Sequence, residues 1–303
     1  MNKVAKQRGK EVRLMHICPI CEKGFNHKGH LNRHIEEVHG RTRIVVYSDI
    51  HAPFHDERVV ELVNTFCKWY KPEVVVIDGD LVDFHAISKF DKSPERSTGD
   101  ALRDEVSVAN QILKSIRQAN PQARIILVVG NHEFRLRKFL YQVAQRTPLL
   151  ADLLGLMNVK IGEVLPFLLH LQLNKIELVD LDPEIARFTD CFVQFGRLFI
   201  GHWDKVHKYG GYTAKNLLAD RGVNLVQAHT HRVGSHFRTT LAGVIEAHEI
   251  GCLCRLHPHY TSQQDWCHGF AVIEGDAEMQ NFTVLVVPIK DYQFRFHKRT
   301  FQA

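Results

Sequence analysis

Five times between residues 44 and 231, an apolar and mostly β-branched run gives way at once to Asp, Asn or His. Ile44 to Tyr47 leads into Ser48-Asp49-Ile50-His51, and Val74 to Ile77 into Asp78-Gly79-Asp80-Leu81-Val82-Asp83. Ile125 to Val129 precedes Gly130-Asn131-His132-Glu133, Leu198 to Ile200 precedes Gly201-His202, and Val223 to Val226 runs on to Ala228-His229-Thr230-His231. Continuous apolar runs of this length read as strands buried on both faces. Amphipathic stretches at about Glu57–Trp69 and Asp100–Ala119 separate the first three runs. That alternation predicts βαβαβ units with a parallel sheet, whose ligands collect at the carboxyl ends of the strands. A further helix is expected at about Tyr212–Arg221. Phe192–Ile200, broken at Gly196-Arg197, reads as a hairpin, and the C-terminal third is strand-rich. Residues 134–190 read as helical, then mixed, and carry no ligand motif.

The N-terminal seventh is a separate unit. Cys18, Cys21, His34 and His39 read C-x2-C-x12-H-x4-H. Two thiolates and two imidazoles at this spacing suit one tetrahedral structural Zn. With Phe25 and Leu31 at the expected apolar positions, residues 16–39 resemble the Cys2His2 zinc finger family. A unit this small buries too little apolar surface to fold alone, so zinc would supply much of its folding free energy. The resemblance implies a small ββα fold and a helix that reads DNA through His27, His30 and Arg33. Residues 1–43 carry a formal charge of +6, against +5 for the whole chain, so the rest is nearly neutral. The basic 1–15 tail and the finger are therefore the part expected to meet an anionic polymer. Residues 40–43 read as a short linker to a domain spanning 44–303.

In that domain the motifs D-x-H, G-D-x-x-D, G-N-H-E, G-H and H-x-H, in this order, resemble the calcineurin-like metallophosphoesterase superfamily over roughly residues 43–290. The resemblance implies a four-layer αββα sandwich and two divalent transition metals of the Mn, Fe, Zn or Ni type. The residue types suit that chemistry. Mixed N/O ligands favour such metals over Ca, and two cations roughly 3.5–4 Å apart offset the charge of a phosphoester and acidify a bound water. By resemblance Asp49, His51, Asp80 and His231 would hold one metal. Asp80, Asn131, His202 and His229 would hold the other, with Asp80 bridging. His132 would protonate the leaving oxygen or stabilise the transition state, and Asp83 and Glu133 would orient His132 or the ligands. The arginines that grip phosphate in the protein-phosphatase branches are missing: Phe84 and Val129 stand there. Asp83 also stands where the repair-nuclease branch often has His.

Other features are ambiguous in the sequence. Cys252 and Cys254, with Cys267 and neighbouring His257, His259 and His268, suggest another zinc site, but the C-x-C spacing is unusual for zinc and the pair alternates with apolar residues, which favours buried thiols. Phe294 to Arg299 interleaves aromatic and basic residues, which suits either a packed closing strand or base stacking. Seven cysteines, an odd number, favour a reducing intracellular compartment, the cytoplasm or a host's cytoplasm for a phage-encoded chain. Met1–Arg13 lacks the apolar core of a secretory signal, and no apolar run reaches the ~18 residues of a membrane span. A homo-oligomer is compatible with the sequence but not indicated by it.

The expectation is thus a phosphoester hydrolase acting on nucleic acid, DNA before RNA, with the finger assisting substrate binding. Two readings stand beside it. One is a phosphomonoesterase or small-nucleotide phosphodiesterase whose finger contacts protein. The other is a binding module on an inactive hydrolase fold.

Overall fold

The computed structural model of the chain describes residues 16–18, 23–34, 40–88, 99–149, 152, 155, 160–180, 191–256 and 265–303. At the N-terminus, β1 (His16–Ile17) and β2 (Gly24–Phe25) form an antiparallel hairpin followed by helix α1 (Lys28–His34). The Cys18 N–H donates to the Lys23 carbonyl at 2.8 Å, and the Phe25 and His34 rings lie 4.6 Å apart. Cys18 and His34 are buried, whereas His27, His30 and Arg33 are exposed. The other two expected zinc ligands, Cys21 and His39, and the tail 1–15 lie outside the described residues.

Strand β3 (Arg41–Ser48) begins inside the segment 40–43 expected as a linker. Pairing with the antiparallel strand Gly269–Asp276 extends it, and the Arg43 N–H donates to Glu73 Oε2 at 2.9 Å while its guanidinium meets Glu73 Oε1 at 2.6 Å. Helix α2 (Glu57–Tyr70) starts where the Asp56 carboxylate accepts from the Arg58 and Val59 N–H groups. It ends at Lys71, which adopts the left-handed conformation. There follow β4 (Val74–Asp78), a 3-10 turn (His85–Ile87), α3 (Gly99–Ala119), β5 (Arg124–Val128), α4 (Asn131–Arg146), α5 (Ile161–Leu168) and β6 (Ile176–Val179). Next come β7 (Phe192–Phe195), β8 (Leu198–Gly201), α6 (Tyr212–Arg221), β9 (Asn224–Gln227), β10 (Val233–Thr240) and β11 (Gly243–Ile250). The chain closes with β12 (Gly269–Asp276), β13 (Phe282–Pro288), β14 (Gln293–Phe296) and β15 (Arg299–Gln302).

Two sheets carry the domain. The first has the order β13-β12-β3-β4-β5-β6, with β3 to β6 parallel and β12 antiparallel to β3. The second has the order β10-β11-β9-β8-β7, with β11, β9 and β8 parallel. The two-residue period of a strand separates the faces of the second sheet. Leu198, Ile200, Val226 and Ile250 join the large core shared with the first sheet. Leu225, Ile245 and Ala247 instead pack with Ala214, Leu217 and Leu218 of α6, closed by Trp203. Helix α2 contributes Val59, Val63 and Phe66 to the large core. This is a mixed α/β fold of two facing sheets with helices packed on them.

Where it is described, the stretch 160–180 after α4 contributes to packing. The Arg117 guanidinium of α3 donates to the carbonyls of Asn174 and Lys175, each at 2.8 Å, and β6 extends the first sheet beside β5. The aromatic–basic C-terminus is a closing hairpin. Phe294, Phe296 and Phe301 surround Phe66 at 5.6, 5.0 and 5.2 Å, so its rings are spent in the core. Among the described residues, no helix is long and apolar enough to cross a membrane.

Candidate metal centre

Every expected metal ligand leaves a carboxyl end of a parallel strand: Asp49 and His51 after β3, Asp80 after β4, Asn131 after β5, His202 after β8, and His229 and His231 after β9. Both sheets aim these ends at one place. The loops after β3 and β4 continue the sheet's pairing beyond its edge. The N–H groups of His51 and Ala52 donate to the Asp80 and Leu81 carbonyls, both at 2.8 Å, and Asp83 N–H returns to Ala52 at 3.0 Å. Asp49, His51, Asp80, His229 and His231 all have positive φ, between 44 and 73°. Five non-glycine residues in the left-handed region at one site are a concentration of local strain, tolerated because the surrounding pairing fixes them.

The motif glycines have steric reasons. A Cβ on Gly79, whose φ is +73°, would lie 2.4 Å from His202 Nδ1. A Cβ on Gly130 would lie 2.3 Å from Asp80 Oδ1. Only glycine lets the strand ends approach the ligands this closely.

The side chains converge in two clusters. In one, His231 Nε2 lies 3.3 Å from Asp49 Oδ1 and 3.1 Å from His51 Nε2, and His51 Nε2 lies 3.7 Å from Asp80 Oδ2. In the other, His202 Nε2 lies 3.2 Å from Asp80 Oδ2, 3.1 Å from Asn131 Oδ1 and 3.2 Å from His229 Nδ1. Asp80 touches both clusters, so the seven expected ligands come together around it.

The tautomers test whether these clusters fit metal. His202 Nδ1 lies 2.8 Å from the Asp78 carbonyl, which can only accept, so Nδ1 carries a proton. His202 Nε2 then faces a carboxylate and an amide oxygen, a position for a second proton or for a metal ion. His51 gives its Nδ1 proton to Asp83 Oδ2 at 3.1 Å, and His231 Nδ1 faces the Cys254 sulfur at 3.8 Å. Their Nε2 atoms face each other at 3.1 Å. Nitrogen and oxygen ligand atoms this close need a proton or a metal ion between them. Asp49 Oδ1 is buried and receives no hydrogen bond. The donor set thus fits a metal pair, and groups of His, Asp and Cys that could hold metal recur here.

The electrostatics agree. Burial opposes charge on His51 and His202, yet the Asp83 hydrogen bond with the Asp80 field lifts His51 to about 9, and Asp80 lifts His202 to about 10. In each case the acidic surroundings favour positive charge on a buried imidazole. Burial pushes Asp78 and Glu133 up to about 7. His132 and His229 go the other way, with burial taking both down to about 4.

The three residues expected to assist chemistry take distinct places. His132 Nδ1 lies 2.7 Å from the Asp83 carbonyl, and its backbone N–H donates to Asp80 Oδ1 at 2.9 Å. The Asp83 carboxylate orients His51. Glu133 works on backbone rather than on imidazole: it accepts from the N–H groups of Asp80, Val82 and Gly130 at 2.9, 3.1 and 3.0 Å, tying the second and third motif loops together.

Three residues the motifs did not reveal also border the site. The Arg135 guanidinium lies 3.2 Å from His132 Nε2 and donates to the Asp83 carbonyl at 2.9 Å. Its signal was present, since Arg135 is three residues after His132 on a helix that begins at Asn131. Phe84 and Val129, at the positions of the missing arginines, are buried. Cys254, buried as expected of a thiol, supports His231, and the Trp266 ring packs on His231 with centroids 4.2 Å apart. Nothing in the sequence linked either to His231, from which 23 and 35 residues separate them.

The family profile described as Calcineurin-like phosphoesterase matches residues 42–233. The Gene 54 protein of Mycobacterium phage L5 is 24% identical over 278 residues, which covers 86% of this chain and 99% of that protein. Among solved structures, a single mutant of Vps29 from Entamoeba histolytica aligns with a TM-score of 0.41 and 9% identity, over 86% of this chain and 100% of that one. Yfce, a phosphoesterase from E. coli, aligns with a TM-score of 0.35 and 12% identity, over 81% and 99%.

Proposed function

Since the chain belongs to the calcineurin-like phosphoesterase family, hydrolases acting on phosphoester bonds, we propose that its substrate is a phosphodiester of nucleic acid, DNA before RNA. One observation carries this reading. The basic N-terminal segment presents His27, His30 and Arg33 together and exposed, on and beside the helix that precedes the hydrolase domain. In our reading residues 16–39 are a zinc finger held by Cys18, Cys21, His34 and His39, and the three exposed side chains contact base edges. Tethering then raises the local concentration of substrate. The buried Phe84 and Val129 argue against a protein-phosphatase grip. The phage relative supports a place in the host cytoplasm.

Asp49, His51, Asp80 and His231 would hold one divalent metal, and Asp80, Asn131, His202 and His229 the other. When bound, the pair supplies positive charge to the phosphate and acidifies the attacking water. The chain's own groups do the rest. Asp83 holds the proton of His51 on Nδ1, leaving Nε2 for the metal side. Glu133 fixes the loops that carry Asp80 and Asn131. Neutral His132 keeps its proton on Nδ1 against the Asp83 carbonyl, so its Nε2 accepts from Arg135. Arg135 is then the permanent cation at this edge of the site, suited to a non-bridging phosphate oxygen. His132 orients it, and serves as acid only when Nε2 is also protonated.

The test is cleavage of end-labelled single- and double-stranded DNA by full-length protein supplied with Zn and Mn. Wild type should cut and Asp80→Asn should not. Replacing His27, His30 and Arg33 together by Ala should weaken DNA binding while aryl phosphate hydrolysis persists. Aryl phosphate hydrolysis without any DNA cleavage would overturn the reading in favour of a small substrate.

A further inference from the structure

The side chain of Trp266 belongs to two places at once. Its ring packs on His231 with 66° between the planes, and it lines a groove of 910 Å³ on the same side of the domain. That volume lies within the about 300–1,000 Å³ range of small-molecule sites. Trp266 is half-buried, and the two residues after it are anchored. The Cys267 N–H donates to the His231 carbonyl at 2.8 Å, and His268 Nε2 lies 2.9 Å from the Cys254 carbonyl. The ring is therefore fixed relative to the metal centre before any ligand arrives.

The other walls combine an aromatic face with separate cations. Arg58 lies over the Tyr292 ring, 3.7 Å from its centroid, and Arg255 and Lys290 are exposed on the walls. Three carboxylates share the groove. Asp56 is committed, capping α2 and accepting from the Tyr292 hydroxyl at 3.1 Å, while Glu57 and Asp291 remain. The groove is thus close to balanced in charge. It lacks the one-sign field that tracks a long polyanion. A flat ring beside the reaction centre, with isolated cations further out, suits one nucleoside and its neighbouring phosphate.

We propose that this groove is a nucleoside subsite, in which Trp266 stacks the base attached to the scissile phosphate and Arg255 and Lys290 meet the flanking phosphate. The inference rests on the nucleic-acid reading above. Stacking on a protein aromatic tolerates every base, so the subsite recognises a nucleotide without selecting sequence. Selection, where it occurs, belongs to the finger.

The test compares two chromogenic diesters on full-length, Mn-loaded protein: the p-nitrophenyl ester of thymidine 5′-monophosphate and methyl p-nitrophenyl phosphate, which has no base. The readout is the ratio of their kcat/KM values. Wild type should favour the nucleoside ester. Trp266→Ala should lower the ratio about 10- to 100-fold, mainly through KM, and Trp266→Phe should keep it within about threefold of wild type. Trp69→Ala, on the face covered by the C-terminal hairpin, should leave both rates unchanged. Calorimetric binding of thymidine 5′-monophosphate should weaken with the ratio, and it decides if Trp266→Ala turns over neither ester. A ratio unmoved by Trp266→Ala, including an equal loss on both esters, overturns the subsite and leaves the nuclease reading standing. A wild-type ratio near one overturns the subsite. Combined with no cleavage of labelled DNA, it overturns the nucleic-acid reading as well.

Discussion

The N-terminal hairpin and helix and the two-sheet domain face metal from opposite positions. The described part of the first, residues 16–18 and 23–34, has Cys18 and His34 as its buried groups. The second buries long runs such as Ile44–Tyr47 and Val75–Ile77 completely, and its two sheets share one apolar core. Fully burying one such side chain contributes roughly 1.5–3 kcal/mol, so the domain has ample reason to fold without metal. In the finger reading, metal is the core. In the domain, metal joins groups that the fold has already assembled and strained. The contrast teaches that similar ligand types, His and acid or thiol, can sit at the origin of a fold or at its end.

The largest test of that contrast is Asp80→Asn. Asp80 touches both clusters, so kcat/KM on aryl phosphodiesters should fall on the order of 10³-fold, while circular dichroism and Tm stay near wild type. Loss of the fold would break the comparison. Arg135→Ala comes next, with about a 10²-fold loss in kcat. Arg135→Lys should recover little of it, because a lysine cannot both reach His132 Nε2 and donate to the Asp83 carbonyl. Asp83→Asn should cost about 10- to 100-fold in metal affinity, read by titrating metal into chelator-treated protein.

Cys18→Ser addresses the other region. One equivalent of zinc should be lost and DNA affinity should fall about tenfold, with aryl ester hydrolysis and the main thermal transition unchanged. Destabilisation of the whole domain would show that the two regions are not independent. The smallest effect sits at Glu105, buried on α3. Its Oε1 accepts from the Ala86 N–H at 2.8 Å, and Oε2 has no hydrogen-bond partner. Burial raises it from 4.5 to about 7. The native state therefore binds the proton more tightly than the unfolded chain, and stability falls as pH rises from about 4.5 through 7. Discounted for partial solvation, the loss is about 1 kcal/mol. Glu105→Gln should remove this slope in a series of urea denaturations, equally with and without chelator if the domain's fold is independent of metal.

Much of this could be read from the chain before folding. Each of the five runs became a strand, and the helices expected at about 57–69, 100–119 and 212–221 formed within a residue or two. The strands were legible because a buried parallel strand must be continuously apolar. The seven residues expected as ligands were picked out by the resemblance of their motifs, and the other six gather around Asp80. Less legible was the start of β3, which pairing of Arg41 and Thr42 with Asp276 and Gly275 of β12 carries back to Arg41. Glu133 was expected beside imidazole and instead holds backbone, a distinction that spacing does not contain.

By itself the sequence determined the periodic elements, the order of the motifs and the ligand types, since these depend on local chain chemistry and on the alternation of apolar and polar residues. Tertiary structure alone decided the rest. Cys254 and Trp266 reach His231 because Cys254 follows β11, which pairs with β9, and the Cys267 N–H after Trp266 donates to the His231 carbonyl. The protons of His51, His132 and His202 are fixed by Asp83 and by the carbonyls of Asp83 and Asp78, groups 32, 49 and 124 residues away in the chain. A proton's position depends on the acceptor a few ångströms off, and a linear pattern does not record which acceptor that is.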